Sequence, residues 1–177
     1  MICVIASLLG MLWAETFVVV LPEKVGEDTY LPTGTENIQH IVQAQIEKAL
    51  IRKGLDVEDV EGLEPTVEGG LSWQTLTVKE GALTIARAVE ADYLIYGQAT
   101  AARAGTGSAY GVTSVRARAD VTARLVRVSD GKILDVFEQD ATEGNQAFGI
   151  AAKDALKSAG KSISIPIATA CVEVIEE

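Results

Sequence analysis

The sequence predicts an α+β fold with a single mixed sheet, in the order β-α-β-α-β-β-β-α, and with helices packed mainly on one face. Three observations predict it. Early in the chain, short β-branched runs alternate with apolar stripes of helical spacing, the pattern of parallel crossover units. Later, a long strict alternation meets an Asp-Gly turn, which is typical of an antiparallel meander. The composition is 48% hydrophobic but only 5% aromatic, which indicates an aliphatic core.

The first crossover unit begins with the continuous apolar run 16–21, which predicts a strand buried on both faces and ended by a proline. The stretch 23–34 contains glycine, proline and acidic residues, so it is predicted to be a loop. Thr33 and Glu36 have capping-box spacing. Residues 38–54 then carry apolar side chains on one helical face and end in glycine, a common helix terminator.

The second unit starts with a short strand at 55–60 and passes through a loop to a second helix. Thr77 and Glu80 repeat the capping-box spacing, and the apolar stripe that follows ends near Glu90. The segment 92–101 is predicted to be a central strand. Together the two units place three parallel strands in one sheet.

The antiparallel part begins after a glycine-rich stretch, 103–113, predicted to be a mobile hairpin connection. Residues 115–128 alternate between apolar and polar, which predicts a strand with one face buried and the other exposed to solvent. The sequence Ser-Asp-Gly-Lys at 129–132 predicts a tight turn. Residues 133–142 form the returning strand.

A third helix is predicted over 145–163, with alanines and Ile150 on its packing face. Pro166 is expected to kink or end it, because proline lacks the N–H that a helix interior requires. Residues 167–175 would then form a short terminal helix.

Residues 1–14 form an uncharged apolar run of the length of a signal-peptide core, so we expect an exported protein with one mature domain over 15–177. The run is shorter than the roughly 20 residues that a transmembrane helix needs, and we expect no transmembrane segment. Ala14 is the candidate cleavage position. No basic residue precedes the run, and the alternative is a buried N-terminal element of a cytoplasmic protein.

The net charge of −10 argues against nucleic acid as a partner, because phosphate binding needs a basic surface. One region differs: between residues 103 and 127 five arginines accompany a single aspartate, Asp120. This locally basic hairpin could be a docking face, and the alternative is the solvated side of a sheet. The candidate partner-binding residues are Arg103, Arg116, Arg118 and Arg124.

Catalytic and metal-binding patterns are missing from the sequence. His40 is the only histidine, Cys171 is the one cysteine beyond the leader, and no Gly-x-Ser-x-Gly motif occurs. Acidic residues at 58–64 could hold calcium, but their spacing fits no EF-hand and favours a solvated edge. The glycines at 105–111 precede a strand, whereas a dinucleotide loop precedes a helix. We therefore expect no catalytic residues, no metal and no cofactor.

Two motifs resemble a known domain family. They are Ala91-Asp-Tyr-Leu-Ile-Tyr-Gly-Gln98 and Leu125-Val-Arg-Val-Ser-Asp-Gly-Lys-Ile-Leu134. They are similar to the domain shared by the FlgT middle domain, CsgG, the TolB N-terminal domain and LpoB. This resemblance implies a bacterial envelope module that binds proteins. The chain has neither the long barrel-forming insertions of CsgG nor a lipobox.

The favoured interpretation is a non-catalytic periplasmic or outer-membrane-associated adaptor or assembly factor of flagellar, secretion or cell-wall machinery. Its partner would be an envelope protein or a second copy of itself, and any membrane association would be indirect. The alternative is a module that binds a small molecule or glycan near the glycines at 105–111. A hydrolase that uses only carboxylates is less favoured, because the chain has few aromatic residues to stack on sugars.

Overall fold

A computed structural model describes residues 15–26, 29–31, 40–60, 76–109 and 112–176 of the chain. The predicted leader and the Thr33–Glu36 capping box lie outside these residues. The described part is an α+β fold with a single mixed sheet, as predicted, and the sheet has seven strands where five were predicted. The elements are β1 Thr16–Val20, β2 Glu23–Val25, β3 Thr29–Leu31, α1 Ile41–Arg52, β4 Asp56–Glu58, α2 Lys79–Ala88, β5 Tyr93–Ala109, β6 Val112–Arg127, β7 Lys132–Asn145 and α3 Phe148–Glu176.

The strand β5 organises the sheet. Its first residues pair in parallel with β1, and the next pair in parallel with β2, so that β1 and β2 follow one another along the same edge of β5. Beyond them lie β4, parallel to β1, and β3, antiparallel to β2. On its other edge β5 pairs with β6, and β6 with β7, in antiparallel register. The predicted crossover units and meander are therefore confirmed.

Helices cover the two faces unequally. The helices α1 and α3 pack on each other and on one face, over alternate residues of β1, β5 and β6 such as Phe17, Ile95 and Leu125. The short helix α2 covers part of the other face, where Val18, Leu94 and others form a smaller core. Two of the three described helices thus share a face, as the sequence predicted. Beyond α2, no helix of the described residues covers the second face, which we call open.

The structure corrects three predictions. The stretch 23–34, predicted to be a loop, contains the three-residue strands β2 and β3, which are too short to show a sequence period. The predicted connection 103–113 is part of β5 and β6, whose pairing reaches Ala109 and Val112. Pro166 lies inside a continuous helix, so of the two predicted effects it does not end the helix, and residues 167–175 are not a separate element.

Candidate functional site

The alternation in β6 sorts its side chains between the two faces of the sheet. Ala117, Ala119 and the following odd-numbered residues to Leu125 are buried beneath the helices. The arginines at 116, 118 and 124 therefore point to the other, open face. We call this surface the arginine face. It comprises alternate positions of the three long strands: Gln98, Thr100 and Ala102 of β5, Arg116, Arg118, Asp120, Thr122 and Arg124 of β6, and Glu138, Asp140 and Thr142 of β7.

The three arginines of this face differ in their contacts. Arg118 is held by two carboxylates: its Nη2 lies 3.0 Å from Asp120 Oδ1 and 3.6 Å from Asp140 Oδ2. The guanidinium of Arg124 lies 5.8 Å from the centre of the Tyr96 ring, a cation–π contact. Arg116 is exposed and has no ion-pair partner among the described residues. Two of the three arginines are therefore open to a carboxylate from outside.

The face is less basic than the sequence suggests. The register places Thr142, Asp140 and Glu138 of β7 beside Arg118, Asp120 and Thr122 of β6. The surface consequently carries as many carboxylates as arginines. Charges that lie far apart along the chain are neighbours across the strands, and they turn an expected basic surface into a mixed one.

Arg103 is separate from the other three candidate residues. It pairs with Ala117, and it lies on the side of the sheet that carries the helices. Its guanidinium is 5.6 Å from the ring centre of Phe148, the first residue of α3. Arg103 therefore packs against the start of a helix, and it cannot act together with the arginine face.

Sequence reasoning missed Glu23, a carboxyl with no exposure to solvent. Its Oε1 accepts hydrogen bonds from the N–H groups of Val42, at 2.6 Å, and Gln43, at 3.3 Å, at the start of α1. The first turn of α1 contains no acid of its own, and the N-cap side chain makes no capping bond. Burial raises the pKa of Glu23 to about 7, although these hydrogen bonds favour its charged form. Glu23 thus caps α1 from β2.

A shallow cavity of about 460 Å³ lies at the N-terminal end of β5. Its lining carries charges of both signs, from Glu15, Arg87, Glu90, Asp92 and Arg127 among others. The predicted ligand position near the glycines at 105–111 lies at the opposite end of β5, and residues 110 and 111 are outside the described chain. The cavity and that position are therefore different places.

Groups capable of metal or redox chemistry do not assemble in the described chain. No cluster of three or more His, Cys, Asp or Glu side chains suited to a metal occurs there. Glu61 and Glu64 of the predicted acidic edge lie outside it. Cys171 is buried, and this burial raises the pKa of its thiol to about 12, so the reactive thiolate is scarce. The thiol packs in the main core.

By length and composition, α3 is the one helix in the described chain that could cross a membrane. Its apolar window has a mean hydropathy of 1.2. The buried side of the helix packs on the sheet and on α1, where Gly160 brings the two helices close together. Packing accounts for the buried side of this helix, while Ile150 and Ile165 on the other side are exposed. The absence of a transmembrane segment remains a prediction.

No family model matches the sequence, and no curated protein matches it. Similar solved structures include a minor lipoprotein from Acinetobacter baumannii, with a TM-score of 0.47 and 11% identity over 88% of this chain and 94% of that chain. Lipoprotein GNA1162 from Neisseria meningitidis has a TM-score of 0.46 and 16% identity, over 92% of this chain and 99% of that chain. The LpoB C-terminal domain from Salmonella enterica has a TM-score of 0.42 and 19% identity, over 72% of this chain and 82% of that chain. The resemblance to FlgT, CsgG and TolB stays a prediction.

Proposed function

We propose that this chain is a non-catalytic protein-interaction module of the bacterial cell envelope, an adaptor or assembly factor that binds a carboxylate-bearing partner through the arginine face. The observation that carries the proposal is the open face itself. Three long strands present polar side chains there, and the helix α2 covers only the part near Leu94 and Val126. A broad, flat and polar surface suits contact with another protein.

The chemistry of the face favours acidic partners. A guanidinium binds a carboxylate with two parallel hydrogen bonds, which lysine cannot do. Arg116 and Arg118 are two residues apart on one strand face, a separation of about 7 Å. Arg116 is free to receive a carboxylate directly. Arg118 would exchange an exposed intramolecular pair for an intermolecular one, and exposed pairs contribute little to stability.

Location in the envelope is supported by the sequence. The apolar run at 1–14 has the length of a signal-peptide core. The motif Ala91-Asp-Tyr-Leu-Ile-Tyr-Gly-Gln98 forms the start of β5, at the centre of the sheet. The second motif forms the end of β6, the turn and the start of β7. The residues behind the resemblance thus build one continuous part of the fold.

Charge reversal tests the role of the face. The double variant Arg116→Glu/Arg124→Glu should keep the circular dichroism spectrum of the wild type, since both side chains are on the surface. It should lose capture of envelope proteins from a periplasmic extract and bind an acidic peptide at least about tenfold more weakly in titration calorimetry. The matched control is Lys48→Glu/Arg52→Glu, which changes the net charge equally on the exposed side of α1.

Equal losses in both variants would mean that net charge, and not the arginine face, controls binding. Unchanged capture by the Arg116/Arg124 variant would overturn the proposal. Fractionation of cells expressing the full chain tests the location independently: the protein should leave the cells with the periplasmic fraction on osmotic shock. Retention in the cytoplasm would contradict the proposed envelope location. The binding measurements would still decide whether the arginine face binds a partner.

A further inference from the structure

The outer edge of β7 is a second candidate surface, which borders the arginine face at Glu138 and Asp140. β7 pairs with β6 on one side, and no strand of the described chain pairs with its other side. The opposite margin of the sheet consists of the three-residue strands β3 and β4, whereas β7 has 14 residues. A long strand edge presents unpaired N–H and C=O groups along its length, and it can pair with another chain.

Two side-chain bonds identify the free backbone groups. The N–H of Val136 donates to Asp135 Oδ1 at 2.7 Å, and the carbonyl of Asp140 accepts from Gln139 Nε2 at 3.0 Å. These two backbone groups thus form hydrogen bonds with side chains, where a neighbouring strand would otherwise provide the partner. Val136 and Asp140 are four residues apart, so their backbone groups point to the same side of the strand. From Val136 to Gly144, the backbone N–H and C=O groups of the even-numbered residues therefore point away from β6. Those of residues 138, 142 and 144 are available to pair with another strand.

The two sides of this edge differ in chemistry. On the open face, Glu138 and Asp140 are exposed and acidic. On the helix face, Ser158 of α3 donates to Glu143 Oε1 at 2.7 Å, which shows that this flank of α3 overlies β7. Phe137 of β7 is buried on this side of the sheet, and Ala141 packs against the main core.

We propose that the outer edge of β7 binds an extended segment of another protein that alternates basic and apolar residues. The segment would extend the sheet by one strand. Its basic side chains would face Glu138 and Asp140 on the open side, and its apolar side chains would extend the helix side next to Phe137 and Ala141. The strand β6 does not itself place basic residues there, since Thr122 and Asp120 stand opposite Glu138 and Asp140. The pattern that the two carboxylates favour is a strand with basic residues at two successive open-face positions, as at Arg116 and Arg118.

A second copy of this chain fits the edge poorly. If two β7 strands paired antiparallel about their centre, Glu138 and Asp140 of one copy would stand opposite the same carboxylates of the other. Like charges directly opposite each other on neighbouring strands are destabilising. The charge pattern thus favours a basic heterologous strand over self-association.

A peptide with the sequence of residues 115–125, blocked at both termini, is the probe. The folded full chain should bind it, measured by fluorescence anisotropy, and hydrogen exchange should slow at the backbone of β7. A control peptide with the three arginines replaced by glutamate should bind at least about tenfold more weakly. In the protein, Glu138→Lys/Asp140→Lys should weaken binding of the arginine peptide by about tenfold, while Glu80→Lys/Glu173→Lys, with the same charge change elsewhere, should have little effect.

Equal binding of the two peptides, equal effects of the two protein variants, or exchange protection outside β7 would each overturn the proposal. A dimer whose protected amides lie in β7 would overturn it in favour of self-pairing. The proposal does not depend on the function proposed for the arginine face. The variant Arg116→Glu/Arg124→Glu abolishes that function and leaves the outer edge of β7 intact, so the two failures are distinguishable.

Discussion

Glu23 shows how one residue can link two elements. It belongs to β2, yet its carboxyl group receives the N–H groups of Val42 and Gln43 at the start of α1. The side chain of Gln43 continues the connection, since its Oε1 accepts from the N–H of Leu21 at 3.3 Å and its Nε2 donates to Glu47 at 2.8 Å. These polar contacts fix α1 over the junction between β1 and β2.

The raised pKa of Glu23 makes the stability of the protein depend on pH. The folded protein binds the proton more tightly than the unfolded chain, whose Glu has a pKa near 4.5, so this stabilisation is complete below pH 4.5 and is lost as pH rises through about 7. The change is about 3 kcal/mol. Urea unfolding of wild type and Glu23→Gln should therefore show the variant gaining about 3 kcal/mol relative to wild type between pH 4.5 and 8. A difference that is constant with pH would refute this account.

Gly97 lies where β5 and β6 approach each other closely. An added Cβ would collide with the backbone carbonyl of Thr122, which cannot move without disturbing the strand pairing. Gly97→Ala should therefore lower the free energy of unfolding by about 2–3 kcal/mol, measured in urea. Gly107→Ala is the control on the same strand, because its Cβ would meet only the Ser114 hydroxyl at 3.6 Å. Equal losses in the two variants would show that the collision with Thr122 is not responsible.

At the residue scale, the sequence predicted which face of a strand a side chain lies on. It did not predict which residues of other strands lie beside that side chain. It placed Arg116, Arg118 and Arg124 on one face because strand side chains alternate. It could not show that Glu138 and Asp140 stand beside them, because that depends on the register between β6 and β7. Glu23 was missed for a related reason: its partners are about 20 residues away, on a helix that only tertiary packing brings near.

The helix α3 continues through Pro166 because tertiary contacts outweigh local preference. Ile163 and Ile167, on either side of the proline, are buried in the main core. Pro166 and Ser162 lie on the exposed flank, so the Ser162 carbonyl, which loses its helical partner, can bond to water. Breaking the helix would expose apolar area that the sheet now covers, and the proline stays in place at a local cost.

Replacing this proline should stabilise the protein. Pro166→Ala restores the N–H donor to Ser162 and removes the clash of the ring, and the gain should be about 1–3 kcal/mol in urea unfolding. Ser162→Ala, on the same flank, should change stability by only a few tenths of a kcal/mol. A destabilised Pro166→Ala variant would show that the ring makes a contact that the helix needs.

Elements with a sequence period were predicted, and those without one were not. The helices and the alternation of β6 follow from their apolar spacing. By contrast, β2 and β3 have three residues each, and they exist because β5 extends past β1 and offers an edge to pair with. The length of β5 was underestimated for the same reason, since its glycine-rich end is held by β6 rather than by its own propensity.

At the scale of the whole molecule, the two cores share their strands. Leu94 and Ile95 are adjacent in β5, but Leu94 belongs to the core under α2 and Ile95 to the core under α1 and α3. Loosening either core therefore loosens the same sheet. One domain over 15–177 stays a prediction, which unfolding measurements can test.

Cooperative unfolding follows from this sharing. Leu94→Ala and Ile95→Ala should each lower the free energy of unfolding by about 2–4 kcal/mol. In both variants, circular dichroism and tyrosine fluorescence should report one coincident transition. Val136→Ala, at an exposed position, is the control and should change little. A variant in which one core unfolds before the other would divide the molecule into two units.

The position of β1 in the sheet has a consequence for biosynthesis. β1 is the first strand of the described residues, but it lies between β4 and β5, and Thr16 bonds to Asp92, 76 residues later. A ribosome must therefore complete β5 before β1 can be enclosed, and until then its valines stay available to chaperones. A secretory channel threads unfolded polypeptide, so this delay would keep the nascent protein competent for translocation. Late closure of a central strand is a property that an exported protein can use.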